Sequence, residues 1–253
     1  MSGAGSGDKH IPARSICAVM VAVWVLLSIS GCAGTAGRDP QLPPIAPLNL
    51  PGGSLSAADA AARISTPDLL ALDDEMREFV SRYTGDLRME RQRLQVLHRA
   101  LKSPALLNLD YDPAADGTAV DVFRRGSANC LSYASLFVAL AREAGLDADY
   151  QWLEVRPQWS RLGEHVAVRL HVNVVVDTRL GDRFMVDIDP LQSRDIAGTR
   201  RLADNEAAAL HHNNLAMQAL GERRLDEAWL QLVRGLHLAP DMTPLWVNLG
   251  AVY

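Results

Sequence analysis

Residues 130–144 form an apolar run with no polar face. Leu131, Ala134, Leu136, Phe137, Leu140 and Ala141 occupy nearly every angle of a helix. This predicts a helix buried at the centre of a domain, ended by Gly145. Upstream, Leu69, Leu70, Leu72, Met76, Phe79, Val80 and Tyr83 recur at helical spacing. They follow Thr66-Pro67-Asp68, which combines a capping hydroxyl, a first-turn proline and an early acid. Gly85 closes that helix. A second is expected over 88–102, with Leu94, Leu97 and Leu101 on one face. Residues 106–121 read as a loop leading into a short helix with Val120 and Phe123. Beyond Gly145 the period falls to two. Tyr150, Trp152 and Val155 predict one strand, and Val166 to Val176 alternate along another over 165–177. A turn around Gly181 leads to a return strand over 184–188. A buried helix ahead of an antiparallel sheet predicts an α+β core. From about residue 203 onward the pattern is helical.

The first thirty residues are read as an export signal rather than as part of the fold. Lys9 and Arg14 precede the apolar stretch Ile16 to Ile29, which is short for a bilayer span. It ends in Ile29-Ser30-Gly31-Cys32, which resembles a bacterial lipobox. The resemblance implies a signal peptide over 1–31, lipidation of Cys32, and anchoring without a membrane span. With Ala33 after the cysteine, it implies the outer membrane of a bacterial envelope, facing the periplasm. Residues 32–55 contain Pro40, Pro43, Pro44, Pro47 and Pro51 and are expected to be a tether. The folded domain is expected over 56–200. The net charge of −5 and 22% charged residues are ordinary for a globular chain. There is no basic run to suggest nucleic acid.

The three cysteines then sort themselves. Cys17 lies in the signal and Cys32 takes the lipid, which leaves Cys130 as the free thiol. Gly126-Ser127-Ala128-Asn129 precedes it like a loop entering a helix. A thiol there meets the positive end of the helix dipole, which favours thiolate. His171 lies on a strand, and Asp187 and Asp189 lie on the next. Their spacing of two puts both acids on one face, so pairing alone leaves either as partner of the histidine. His165, nominally on the same face as His171, is a rival. These residue types suit nucleophilic catalysis: a thiol that attacks a carbonyl, an imidazole that moves its proton, and a carboxylate that orients the imidazole. The Cys130 N–H, with Asn129 or Gln151, is a candidate oxyanion hole. Asp110, Asp112 and Asp116 lack the glycine and terminal glutamate of a calcium loop and read as solvated acids. Cys130, His171 and an acid lack the paired spacing of a zinc site, so no metal or other cofactor is expected.

The segments Asn129-Cys130-Leu131-Ser132-Tyr133-Ala134, His171-Val172-Asn173-Val174 and Phe184-Met185-Val186-Asp187 resemble the transglutaminase-like superfamily, over roughly 119–190. The resemblance implies a papain-like fold with Cys130 as nucleophile, His171 as base and Asp187 as the orienting acid. In the C-terminal part, Leu215, Ala216, Ala219, Ala228, Leu232, Gly235 and Pro240 fall at tetratricopeptide-repeat spacing. Trp246, Leu249, Gly250 and Tyr253 restart that register about 34 residues on. Residues 203–253 are therefore expected to hold one repeat and part of a second, the partial one either cut short from a longer protein or packed on the core or on another chain. Two functions follow as expectations. One is a lipid-anchored thiol enzyme acting on amide bonds of a periplasmic protein or peptide, by hydrolysis or acyl transfer. The other is a non-catalytic scaffold that binds a protein partner through its repeats.

Overall fold

The computed structural model describes residues 42–253 except 157–158, 163–164 and 169, and side chains from 157 to 169 lie outside the description. The export signal, Cys17 and Cys32 also lie outside the described residues. Residues 42–253 form one compact unit.

Mixed helix and sheet surround a single central helix. A hairpin of β1 (Leu48–Leu50) and β2 (Gly53–Leu55) comes first. It is followed by helices α1 (Ala57–Arg63), α2 (Asp74–Thr84) and α3 (Glu90–Lys102). The expected tether therefore ends early, because Leu48 is buried in the core and order begins before Ser56. Helix α2 also starts later than Thr66-Pro67-Asp68 suggests. Its cap is Asp73, whose side chain accepts from the Met76 N–H at 2.9 Å. The Thr66 hydroxyl instead bonds residues far along the chain.

A two-residue strand, β3 (Asp110–Tyr111), pairs in parallel with β4 (Ser127–Ala128) around helix α4 (Ala119–Arg125). Helix α5 (Cys130–Glu143) follows, and every residue from Leu131 to Ala141 is buried. This matches the absence of a polar face in its sequence. The Tyr150 hydroxyl donates to the Ser135 hydroxyl at 2.9 Å, which closes a buried polar contact between α5 and the sheet.

The sheet is antiparallel, in the order β10-β5-β8-β9, with β5 (Asp147–Val155), β8 (His171–Asp177), β9 (Arg183–Val186) and β10 (Ile196–Leu202). Val172, Val174 and Val176 of β8 belong to the core shared with α5. The single strand expected over 165–177 is two strands. Residues 165–168 form β7 and pair with β6 (Trp159–Leu162) in a separate ribbon. Residues 171–177 pair with β5 and β9. Alternation reports which residues share a face, but it does not report a change of partner. Strand β10 was missed because it is an edge strand with exposed arginines. Arg200 stacks over the Trp152 ring at 5.5 Å, and Arg201 pairs with Asp149 and Asp177.

Three helices complete the unit: α6 (Asp204–Gly221), α7 (Leu225–Leu238) and α8 (Thr243–Val252). Arg142, in the last turn of α5, bonds Asp204 at 2.7 Å and Asp149 at 3.1 Å, which ties α6 and β5 to the central helix. Gly235 of α7 lies where α6, α7 and α8 meet. A Cβ there would sit 2.3 Å from Leu245 Cδ2 and 3.1 Å from the Ala209 carbonyl oxygen. Gly235→Ala is therefore expected to destabilise the unit by about 1–3 kcal/mol through overpacking, despite the better helix propensity of alanine. Chemical denaturation at neutral pH checks this, and a neutral or stabilising result contradicts the close approach. Among the described residues, no helix is long and apolar enough to cross a membrane.

Candidate active site

The site forms at the start of α5 because the local sequence ends a loop and begins a helix at one point. The Asn129 side chain accepts the Ser132 N–H at 2.8 Å, and the Ser132 hydroxyl receives the Asn129 N–H at 3.0 Å. This reciprocal cap fixes Cys130 as the first helical residue. Its N–H therefore has no partner within the helix. The Ala115 carbonyl secures the same turn from outside. It accepts the Asn129 N–H at 3.0 Å, the Ser132 hydroxyl at 2.8 Å and Arg125 Nη2 at 3.1 Å.

His171 begins β8 and is 3% exposed. Its Nε2 lies 2.7 Å from Asp187 Oδ2, just beyond the end of β9. The other Asp187 oxygen accepts the Asp189 backbone N–H at 3.0 Å. Of the two acids that the sequence left open, Asp187 therefore meets the imidazole, and Asp189 supports it through its main chain. The backbone N–H of Val172, the residue after His171, reaches the Cys130 sulfur. Cys130, His171 and Asp187 thus come together. His165 belongs to the separate β6–β7 ribbon, and its side chain lies outside the description.

Cys130 is partly buried and unpaired. Burial pushes its thiol above the ordinary range, and the nearby charge of Asp187 adds to this. The N–H groups of Val172 and Leu131 oppose the rise without cancelling it. This corrects the expectation from helix position alone. A helix dipole contributes about 0.3–1 kcal/mol near a surface, whereas desolvation of an anion can outweigh that severalfold. Burial therefore favours the protonated form of this sulfur.

Tyr133, one turn beyond Cys130, carried no role in the sequence reading. Its hydroxyl is buried with no hydrogen-bond partner among the described residues. Burial, together with the Asp187 charge, keeps it firmly protonated. Its spacing of three from the cysteine was the available signal. Of the oxyanion candidates, Asn129 has its side-chain oxygen committed to the cap. Gln151 lies opposite Asn173 in the β5–β8 register, with Oε1 buried and unpartnered. A cavity of about 230 Å³ adjoins the histidine–acid pair, lined by His98, Lys102, Asn173, Met185, Asp187 and Leu191 among others.

The loop acids divide. Asp110 and Asp112 are exposed as expected. Asp116 is not a solvated acid. Its side chain is 11% exposed and its Oδ1 lies 3.1 Å from His211 Nδ1. Among the described residues, no group of three His, Cys, Asp or Glu side chains could hold a metal ion.

Comparison with known proteins adds one finding. No curated protein and no solved structure matches the chain. A family model, that of the transglutaminase-like superfamily, matches residues 77–183. The match begins within α2, well before the 119–190 stretch that carries the sequence likeness. It contains Cys130 and His171 and stops four residues before Asp187. Residues 77–183, from α2 to the start of β9, are a transglutaminase-like domain.

Proposed function

We propose that this chain is a thiol enzyme acting on amide bonds of a protein or peptide, with Cys130 as nucleophile, His171 as base and Asp187 as orienting acid. The observation that carries this reading is the buried 2.7 Å contact between His171 and Asp187 beside a helix that begins at Cys130. With Nε2 held by the carboxylate, Nδ1 is the ring nitrogen left for the thiol. Because burial favours the protonated sulfur, the imidazole takes the S–H proton as the sulfur attacks the carbonyl carbon. The Cys130 N–H can receive the developing oxyanion. The amide C–N bond then breaks, the imidazolium protonates the leaving nitrogen, and a thioester remains. Water or a second amine attacks the thioester, which gives hydrolysis or acyl transfer. Incubating the full chain with periplasmic proteins and a fluorescent alkylamine tests this. New cleavage products or amine-labelled bands are expected, and both should vanish in Cys130→Ala. Identical patterns with the wild type and the variant would end the enzyme reading.

The burial-raised thiol is the one observation that favours the alternative, a non-catalytic scaffold. In that reading α6 to α8, taken as tetratricopeptide repeats, grip a protein partner. Capture of the same partners by wild type and Cys130→Ala, with both supporting the same cellular role, would favour it. Lipidation at Cys32 and an outer-membrane location facing the periplasm belong to both readings. They rest on the Ile29-Ser30-Gly31-Cys32 sequence and are tested by incorporation of labelled fatty acid into wild type but not Cys32→Ala.

A further inference from the structure

A strap of chain ahead of β1 lies against the C-terminal helices, and the chemistry above does not use it. Residues 42–47 carry neither helix nor strand, and Pro43, Pro44 and Pro47 fix φ at about −65° there. Burial along the strap repeats every three residues. Leu42 and Ile45 are half-buried and Leu48 is buried, whereas 43, 44, 46 and 47 are exposed. Three residues make one turn of a polyproline II helix, so the three apolar side chains share one edge. All three pack against the core. Strand β1, which begins at Leu48, packs on α7. At the end of α8 the Tyr253 hydroxyl donates to the Ala46 carbonyl and accepts from Trp229 Nε1 of α7 at 3.0 Å. Trp229 is fully buried, which fixes the position of that hydroxyl. Grooves that recognise proline-rich segments work in this way, with aromatic side chains facing a preformed, extended Pro-x-x-Pro backbone. Pro44-Ile45-Ala46-Pro47 has that spacing.

We propose that the surface formed by α7 and the end of α8 binds a proline-rich, extended segment of a partner protein, and that residues 42–48 of this chain occupy it until the partner displaces them. The site rests on the scaffold reading in taking the C-terminal helices to bind a protein, and it requires nothing of Cys130. The partner's chemistry follows from that of the present occupant. It needs prolines that fix the chain, apolar side chains three residues apart and a carbonyl for the Tyr253 hydroxyl. Prolines lower the ordering cost of such a segment, because its φ angles are set before it binds. The strap itself is lightly held. Outside the β1–β2 ladder, the Tyr253 bond is the single hydrogen bond to residues 42–48 among the described residues. Two of the three apolar side chains are only half-buried. The hairpin and α1, whose Ala60 is fully buried, can stay in place while 42–47 lift away. Being part of the same chain, the strap competes at a high local concentration, so its hold sets the partner's access.

The test is the fluorescence anisotropy of a labelled synthetic peptide with the sequence of residues 42–50, titrated with the full chain. Leu42→Ser combined with Ile45→Ser loosens the strap and leaves the buried Leu48 in place. This variant should bind the peptide at least about tenfold more tightly than the wild type, whose own strap competes. Adding Tyr253→Phe should weaken that binding on the order of threefold to tenfold, the effect of one hydrogen bond. A peptide with its three prolines replaced by alanine should bind more weakly than the original. No saturable binding by the loosened variant, equal binding by it and the wild type, or indifference to Tyr253→Phe would overturn the proposal. Light scattering of the wild type is measured beside it, and dimers that exchange straps would make a second copy the occupant and overturn it as well. Circular dichroism checks the fold, and Ile45→Ser alone takes the place of the double variant where that does not fold. Partner capture by α6 to α8 is a separate measurement, so a peptide that fails to bind removes the proline-rich ligand and not the scaffold reading.

Discussion

Asp187→Asn is expected to lower amide turnover on the order of 10⁴-fold while leaving the fold intact. The reason is a proton rather than a shape. Asp187 Oδ1 accepts the Asp189 N–H at 3.0 Å, and Oδ2 meets His171 Nε2 at 2.7 Å. In the asparagine variant the remaining oxygen must stay on the Asp189 N–H, since an NH2 group there would face another donor. The NH2 then faces Nε2, which becomes an acceptor, and the ring proton moves to Nδ1. An Nδ1 that already carries a proton cannot take one from the thiol. His171→Ala should cost a similar factor by removing the base outright. Both variants should melt near the wild type or modestly below it, and both should slow alkylation of Cys130. Turnover within tenfold of wild type in Asp187→Asn would remove the carboxylate from the mechanism. For the wild type, the burial-raised thiol predicts turnover that climbs on the alkaline side, without a preformed thiolate at neutral pH.

Mild acid is expected to destabilise the protein through a buried histidine that the proposed chemistry does not use. His212 of α6 is 1% exposed. Thr66 accepts from Arg234 Nε at 2.8 Å, so its single hydroxyl proton goes to His212 Nε2 at 2.9 Å. His212 Nδ1 then donates to Gln231 Oε1 at 2.6 Å. This chain of bonds joins the segment before α2 to α6 and α7, and it requires a neutral imidazole. Burial, with the nearby His211 and Arg234, lowers the group from its ordinary 6.5 to about 4. As pH falls below 6.5 the unfolded chain binds the proton first, and the native state cannot bind it until about pH 4. Stability from this group is therefore complete above pH 6.5 and lost between 6.5 and 4. The loss amounts to about 3 kcal/mol, from a shift of two to three units at 1.36 kcal/mol each. His98 and His237 are also lowered by burial and act in the same direction. The comparison that isolates His212 is urea unfolding of wild type and His212→Asn at pH 7.5, 5.5 and 4.5. The variant should start less stable and lose less on acidification. Parallel losses in both proteins would show that His212 is not the group responsible.

Periodicity made the element types legible. The run over 130–144 has no polar face, so its burial could be read directly, and the change of period after Gly145 marked the sheet. The helix start at Cys130 was also legible, because capping depends on neighbours within four residues. Other starts were not. Thr66-Pro67-Asp68 has the composition of a cap, yet the Thr66 hydroxyl bonds His212 and Arg234. The break between β7 and β8 and the edge strand β10 were hidden for a related reason. Each depends on which strand lies alongside, and side-chain alternation along one strand does not encode that.

The sequence by itself determined an α+β chain with a thiol at a helix start, and with a histidine and two acids on the strands that follow. Those features depend on residue type, order and short-range spacing. Only the tertiary structure decided that Asp187 rather than Asp189 meets His171, because a main-chain N–H from Asp189 occupies the other oxygen. It also pushed the thiol above its ordinary range, since burial and a nearby carboxylate are properties of the assembled core and act against the dipole of one helix. It turned Asp116 from a loop acid into the buried partner of His211, 95 positions away along the chain. Hydrogen-bond partners and desolvation arise when distant segments meet, and no local pattern carries them.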